Sequence, residues 1–295
     1  MMYQEEVTLQ QLADNSDFRV GYSDEDIVII DSIQKFTEAS TTLVPMNVIA
    51  ICIQGKAQVR LNGQPIELHK NQVMVIPQNV IITDMMVSPD FSFKTMLLTN
   101  RILQSFLREK MSLWNDVMYV HRLNVLVMDD DDILFYTNFY EMLKFSIERG
   151  KGNPYHTEII RSLICAAILG LCGTLRHMLP REPQSQRQSM SMIHFKRFLD
   201  LLHTSKVKHR SVDSYAKELF ISPKYLSSIC KKHSGKTANM WITEQVMEDV
   251  RFYLRQSDLN IKQVSIVLGF PNTSFFGKYV KDHFGLTPTQ LRNQR

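Results

Sequence analysis

The last third of the chain repeats itself. With an offset of 50, "FISPKYLSSICKKHSGKT" (Phe220 to Thr237) lies over "FPNTSFFGKYVKDHFGLT" (Phe270 to Thr287). Phe220 meets Phe270, Tyr225 meets Phe275, Leu226 meets Phe276, and Lys231, His233, Gly235 and Thr237 meet Lys281, His283, Gly285 and Thr287. Upstream the offset is 49: Val212 meets Ile261, Ala216 meets Ser265 and Leu219 meets Leu268, so the second copy carries one extra residue in its turn. Each copy reads as a short helix, a turn and a second helix. A unit that small cannot fold alone, but it can pack against its twin.

The helix boundaries have local causes. Ser222 is a good N-cap with Pro223 in the first-turn position that needs no amide hydrogen, and Asn272 caps the second copy. Gly235 and Gly285 stand where a helix ends in the left-handed conformation. Thr237 and Thr287 cap the helices that follow. Inside each second helix, Leu226, Ile229 and Cys230, and likewise Phe276, Tyr279 and Val280, take the core side. The other face holds Lys224, Ser227, Ser228 and Lys231 in one copy and Ser274, Gly277, Lys278 and Lys281 in the other. A helix enters a DNA major groove only if its outer side is slim, carries hydrogen-bonding groups for base edges, and has cations alongside for phosphates. Between the copies, Ala238 to Ser257 reads as one helix with Trp241, Ile242, Val246, Val250 and Leu254 on its buried side. At about 1.5 Å per residue it spans roughly 27 to 30 Å, close to the ~34 Å of one DNA turn. Two reading helices on such a strut would reach successive major grooves of one duplex.

Charge follows the same division. Met190 to Arg295 holds 17 Lys and Arg against 8 Asp and Glu, a net +9, while Met1 to Ser189 carries 17 against 22, a net −5. The basic third implies an anionic partner.

The first part of the chain has another period. Between Ile27 and Leu98 come short runs rich in Val, Ile, Phe and Thr, "DIVIIDS", "MNVIAICIQG", "KAQVRLNGQPIEL", "QVMVIPQNVIITDMMV" and "FSFKTMLLT", which read as strands. Asn62-Gly63 between two of them signals a tight hairpin. Strands with no intervening helical pattern imply a sandwich or small barrel. Asp129 to Gly150 then places Ile133, Tyr136, Phe139, Tyr140, Leu143 and Ile147 on one helical face, and Pro154 to Met178 makes a second apolar helix, an antiparallel partner. Their surplus apolar surface serves either as internal core or as a homodimer seam. Within the second helix, the apolar stretch Ser162 to Leu175 is 14 residues, short of the ~20 that span a bilayer. A buried helix and no membrane contact are therefore expected. "LPREPQSQRQS", Leu179 to Ser189, is polar, aperiodic and contains two prolines, and reads as a linker.

These residues resemble the AraC/XylS transcriptional regulators, whose DNA-binding domain joins two helix-turn-helix units by a long helix. The second-unit pattern is matched by Gly269-Phe270, Ser274-Phe275-Phe276, Lys278, Lys281, Gly285-Leu286-Thr287-Pro288 and Arg292. The first unit is matched by Ala216, Leu219, Ser222, Tyr225 and Leu226. The likeness runs from about Ile193 to Arg292. Departures are Gly277, where the family often has a side chain near the bases, Val280 in place of Phe, and Leu291 in place of an aromatic. The resemblance implies that Lys224, Ser227, Ser228, Thr273, Ser274 and Lys278 face base edges or adjacent phosphates, and gives Lys231 and Lys281 phosphate or surface roles. It also implies an activator that works with RNA polymerase, cytoplasmic and nucleoid-associated. Strands followed by two helices resemble the family's cupin-type regulatory domain, which implies a small effector in the barrel and dimerisation through the helices.

The expected architecture is multidomain α+β. Residues 1–178 form a cupin-like barrel or sandwich with two helices, 179–189 a linker, and 190–295 an all-α domain with helix-turn-helix units at about 211–234 and 260–284. The partner is double-stranded DNA read in the major groove. Control by a protein partner or by dimerisation alone, without an effector, stays open on the sequence.

Enzyme chemistry finds little support. A metal cupin needs three or four converging ligands, and the strand region holds only His69. The acidic run Asp129 to Asp132 suits a helix amino terminus. The four cysteines, Cys52, Cys165, Cys172 and Cys230, form no CxxC and read as reduced core thiols. No metal site, cofactor or catalytic constellation is expected. The amino terminus, "MMYQEEV", is acidic where a secretory signal would be basic.

Overall fold

The computed structural model describes residues 5–6, 11, 18–33, 41–150, 152–178, 189–205, 211–256 and 258–293. The chain divides into two units, Met1–Glu182 and Pro183–Arg295. The expected linker lies outside the described residues except for Ser189, whose side chain caps the first helix of the second unit.

The first unit is built on two sheets. One is ordered β1 (Glu5–Glu6), β4 (Thr42–Val44), β9 (Val80–Val87), β6 (Lys56–Leu61) and β7 (Gln64–His69). The other runs β11 (Val125–Val127), β8 (Gln72–Ile76), β5 (Asn47–Gln54), β10 (Ser92–Leu98), β3 (Ile27–Ile33) and β2 (Phe18–Ser23). Pairing is antiparallel except between β1 and β4. Every run read as a strand is one. The short β1, β2, β4 and β11, which lack a long alternating pattern, were not legible. Asn62 (φ 49°) and Gly63 (φ 80°) make the β6–β7 turn with both residues left-handed, the geometry that matches strand twist. The Asn62 carboxamide oxygen also accepts from the Ile81 amide at 2.9 Å.

The two sheets are buried differently, and composition shows why. Along β6, exposed Lys56, Gln58 and Arg60 alternate with buried Ala57, Val59 and Leu61, the pattern of a sheet with one wet face. In the second sheet, "IVII" and "VMVI" are near-continuous apolar runs because both faces are covered. Ala50, Cys52, Met74, Ile76 and Phe93 face the first sheet and close the core with Val59, Leu61, Leu68 and Val80. The interior of the sandwich is thus filled by side chains. The opposite face of the second sheet is roofed by helices.

Residues 100–121 have no clear period and form helices in short pieces: α1 (Asn100–Leu107), a 3-10 turn, α2 (Met111–Asn115) and a π-helical turn that ends at left-handed Arg122. Trp114 is buried there. The long pair follows as α3 (Asp130–Arg149) and α4 (His156–Met178). Asp129 caps α3 by accepting from the Asp132 amide at 2.7 Å, which accounts for the acidic run. Helix α4 is longer than its 14-residue apolar stretch implies. It has 23 residues with a mean hydropathy of 1.8 over its most apolar window, so by length and composition it could cross a membrane. Its inner side, from Ile160 through Ile164, Ile168 and Leu171 to Leu175, is buried within the unit. Cys172 lies on the same side, and burial pushes its thiol up to about 11.

A charge cluster fastens this roof to the sheet. Asp26, 2% exposed, accepts from Arg101 Nε at 2.8 Å and Nη2 at 2.7 Å and from the Thr99 hydroxyl. Neighbouring Asp24 accepts from Arg161 on α4 at 3.0 Å and from the Asp26 and Ile27 amides at 2.8 Å each. The β2–β3 turn therefore holds the start of α1 and the first turns of α4 at once.

The second unit is all helix: α5 (Met190–Thr204), α6 (Val212–Glu218), α7 (Pro223–Ser234), α8 (Ala238–Gln256), α9 (Ile261–Val267), α10 (Thr273–Phe284) and α11 (Pro288–Asn293). Trp241, Ile242, Val246, Val250 and Leu254 of α8 are all buried, and α8 packs against both pairs, α6–α7 and α9–α10. Phe195 and Phe198 of α5 complete the first pair's core, with Phe198 edge-on to Tyr215 at 5.6 Å. Arg292 of α11 donates to the carbonyls of Leu254 at 3.0 Å and Leu259 at 2.7 Å and closes the second.

Candidate nucleic-acid interface and ligand cavity

The amino ends of α7 and α10 are fixed in the same way. Ser222 Oγ accepts from the Tyr225 amide at 3.2 Å, and Asn272 Oδ1 accepts from the Phe275 amide at 2.8 Å. At the carboxy ends Gly235 (φ 75°) and Gly285 (φ 68°) are left-handed, and their amides close on Lys231 and Lys281 carbonyls at 2.9 Å each. Thr237 and Thr287 accept from the Met240 and Gln290 amides at 3.3 Å and start the next helices. Each reading helix is thus twelve residues of fixed length and register.

Lys224, Ser227, Ser228 and Lys231 fall at i, i+3, i+4 and i+7 and share one face of α7. Lys224, Ser228 and Lys231 are exposed and Ser227 is half-buried. On α10, Thr273, Ser274, Lys278 and Lys281 are all exposed, with half-buried Gly277 between them. Among the described residues none of these eight side chains makes a hydrogen bond or ion pair. Their donors are free for an outside acceptor. The opposite sides are closed: Leu226, Ile229, Cys230, Phe276 and Val280 are at most 2% exposed. Burial pushes the Cys230 thiol up to about 12, as befits a core group. Tyr279 is only half-buried, edge-on to Phe270 at 5.1 Å and tilted against His283 at 4.2 Å, and Phe275 remains 48% exposed. Of the two aromatics expected on the core side of α10, Phe276 alone is fully buried.

The turns correct the residue match between the copies. Phe220 and Ile221 amides donate to the Lys217 and Ala216 carbonyls at 3.1 and 3.0 Å, and Gly269 and Phe270 amides donate to Ile266 and Ser265 at 3.0 and 2.9 Å. Phe220 therefore stands where Gly269 stands, and Ile221 where Phe270 stands. The offset of 49 runs through the turn, and the extra residue is Pro271, just before the Asn272 cap. Burial agrees: Phe270 is 5% exposed and Phe220 94%. Matching by residue type pairs the two phenylalanines because backbone conformation is not written in the letters.

After α7 the copies diverge again. Lys236, at the place of Leu286, is 1% exposed, bonds Glu244 at 2.7 Å and lies 4.6 Å from the Trp241 ring centroid. Burial holds its ammonium below the usual range while Glu244 pulls it back up.

In the first unit, a cavity of about 270 Å³ lies on the outer face of the second sheet under α3 and α4. Ile29, Ile49, Ile51 and Ile53 line its floor and Phe139 and Ile168 its roof. Lys94 supplies a cation, its ammonium 4.7 Å from the Tyr140 ring centroid. Tyr140 donates a short hydrogen bond to Asp31 and also borders a polar recess of about 190 Å³ with Arg19, Lys144 and Glu148. Sequence reading could not find this site, since its residues come from five strands and two helices and carry no motif. Among the described residues no group of three or more His, Cys, Asp and Glu stands close enough to share a metal ion.

Residues 215–294 match the family described as a helix-turn-helix domain. The regulatory protein PocR of Salmonella typhimurium is 33% identical over 104 residues, 31% of this chain and 34% of PocR. The Msm operon regulatory protein of Streptococcus mutans is 22% identical over 143 residues, 48% of this chain and 51% of that protein. The chain thus spans a third to a half of these relatives' length. ToxT of Vibrio cholerae is similar in structure over 91% of this chain and 97% of its own, at 11% identity and a TM-score of 0.38. The carboxy-terminal unit is a helix-turn-helix domain with two such units on one spine. Residues 215–294 carry that family's domain, and the chain's resemblance to the AraC/XylS transcriptional regulators rests on it.

Gly277 tests how far α10 is shaped for its partner. It is helical, and a Cβ built there meets nothing within 4 Å. In the free protein Gly277→Ala should therefore stabilise by about 1 kcal/mol, read as a higher urea midpoint with an unchanged slope.

Proposed function

We propose that the chain is a sequence-specific DNA-binding transcriptional activator whose second unit reads two successive major grooves and whose first unit carries the regulatory input. The observation that carries this reading is the pair of lysine-and-hydroxyl faces, unpaired among the described residues, on two equally capped helices joined by one buried spine. Lys224, Ser227, Ser228, Thr273, Ser274 and Lys278 are the residues for base edges and flanking phosphates, with Lys231 and Lys281 on the backbone. The +9 charge of Met190 to Arg295 supports an anionic partner. The resemblance to AraC/XylS regulators supports a cytoplasmic, nucleoid-bound protein that recruits RNA polymerase and acts by binding, without catalysis of its own. The expected linker over 179–189 leaves the two units as separate domains.

The cavity under α3 and α4 fits a small effector with an apolar body and a polar end facing Lys94, Tyr140 and the recess beside them. This replaces the expected location between the sheets, where side chains fill the space. The same helices offer a dimer seam. Leu134, Met142 and Phe145 of α3 and Leu169 of α4 are between 38% and 59% exposed, more apolar surface than a lone helix pair needs. A cupin-like regulatory domain that both binds ligand and dimerises is the reading these features support.

With a duplex selected by the full chain from a random pool, Lys224→Ala and Lys278→Ala should each weaken binding by about 1 kcal/mol and lower the salt slope by about one unit. A titration that leaves affinity and slope unchanged for both removes the assignment. A metabolite that fills the cavity should raise Tm in a thermal screen of the full chain, and Ile51→Trp, which fills it with a side chain, should abolish the rise. Silence across the screen favours control by a partner protein. Phe145→Asp should shift the protein from dimer to monomer in sedimentation; an unchanged mass removes the seam.

A further inference from the structure

Phe220 goes against both local preferences. Its φ of 57° is left-handed, a conformation in which a bulky residue is a genuine outlier. Its ring is 94% exposed, more than any other large apolar residue described. The turn itself does not require this residue. In the second copy Gly269, at φ 79°, makes the same pair of backbone hydrogen bonds, and glycine meets a left-handed position without steric cost. Among the described residues no aromatic stacking or cation contact holds the ring. The free protein thus carries strain and wetted apolar surface with no return inside the fold.

We propose that Phe220 is a DNA-contacting residue, its ring packing on deoxyribose or a thymine methyl at the edge of the groove entered by α7. The inference rests on the reading of α7 as a DNA-facing helix. Phe220 lies two residues before the Ser222 cap and four before Lys224, so its Cα is within about 14 Å of that lysine's even for a fully extended chain. A duplex docked on Lys224, Ser227 and Ser228 passes the turn. Sugar faces and thymine methyls are the apolar parts of that anionic surface, and exposed Lys224, four residues on, suits the phosphates around them. The second unit has a glycine at this place, so the contact belongs to the first reader alone. It gives α7 an anchor that α10 lacks.

The test uses the full chain with Phe220→Gly and Phe220→Asn, both suited to the left-handed turn, alongside Lys224→Ala, on the selected duplex. Both Phe220 variants should keep or raise Tm and lose roughly 5- to 30-fold in affinity, with the salt slope unchanged because the ring neutralises no phosphate. Unchanged affinity overturns the proposal. So does unchanged affinity with lost activation in a reconstituted transcription reaction, which would assign the ring to the polymerase. A fall of Tm in both variants also overturns it, because the ring would then be packing in the free protein. If Phe220→Gly weakens binding and Lys224→Ala does not, the ring's contact stands and the lysine face fails; the reverse result removes the ring and keeps the face.

Discussion

Helix α8 is what the DNA-binding unit depends on. A helix of seven residues followed by one of twelve has an apolar side but nothing of its own to bury it against, and the chain contains two such pairs. Trp241 and Ile242 near one end and Val250 and Leu254 near the other are buried along one continuous helix, so both pairs complete their cores on the same rod. Because α8 is rigid and about 1.5 Å per residue long, the separation and relative rotation of the two readers are set by residue count. Flexible joints would leave that geometry to chance; here it is part of the fold before any duplex is met.

The repeat made much of this legible. Caps at Ser222 and Asn272, stops at Gly235 and Gly285, and the buried stripe of α8 depend on local chemistry, and local chemistry is written in order along the chain. The limits of such reading fall where conformation departs from residue type. Phe220 and Phe270 look equivalent as letters and differ in φ and in burial, because an amide hydrogen-bond pattern three to five residues long decides which position turns left-handed. Lys236 reads as another surface cation in a basic segment, yet lies under Trp241 with Glu244. Only the folded corner between α7 and α8 brings Glu244, nearly two turns into α8, onto it.

In the first unit the strands were legible and their environment was not. Continuous apolar runs such as "IVII" state that both faces are covered without saying by what. Helices α3 and α4 cover the outer face imperfectly, and the gap they leave is the cavity. The cluster at Asp24 and Asp26 couples the same helices to the sheet at one end, so anything that fills the gap works against a roof already pinned along one side. The carboxylates joining residues 24 to 26 with 101 and 161 are separated by too much sequence for any periodicity to reveal them.

Arg292 gives the chain's last helix an unequal influence. Its guanidinium ties α11 to the carbonyls of Leu254 and Leu259, at the far end of α8 and the entrance to the second pair, while the first pair is closed by α5. A chain cut short by a premature stop codon just after α10 would keep the first reader and its spine and lose the closure of the second. Such an allele competes for half a site without the full grip of its parent, which makes the carboxy-terminal helix the place where a small lesion turns a two-reader protein into an interfering one.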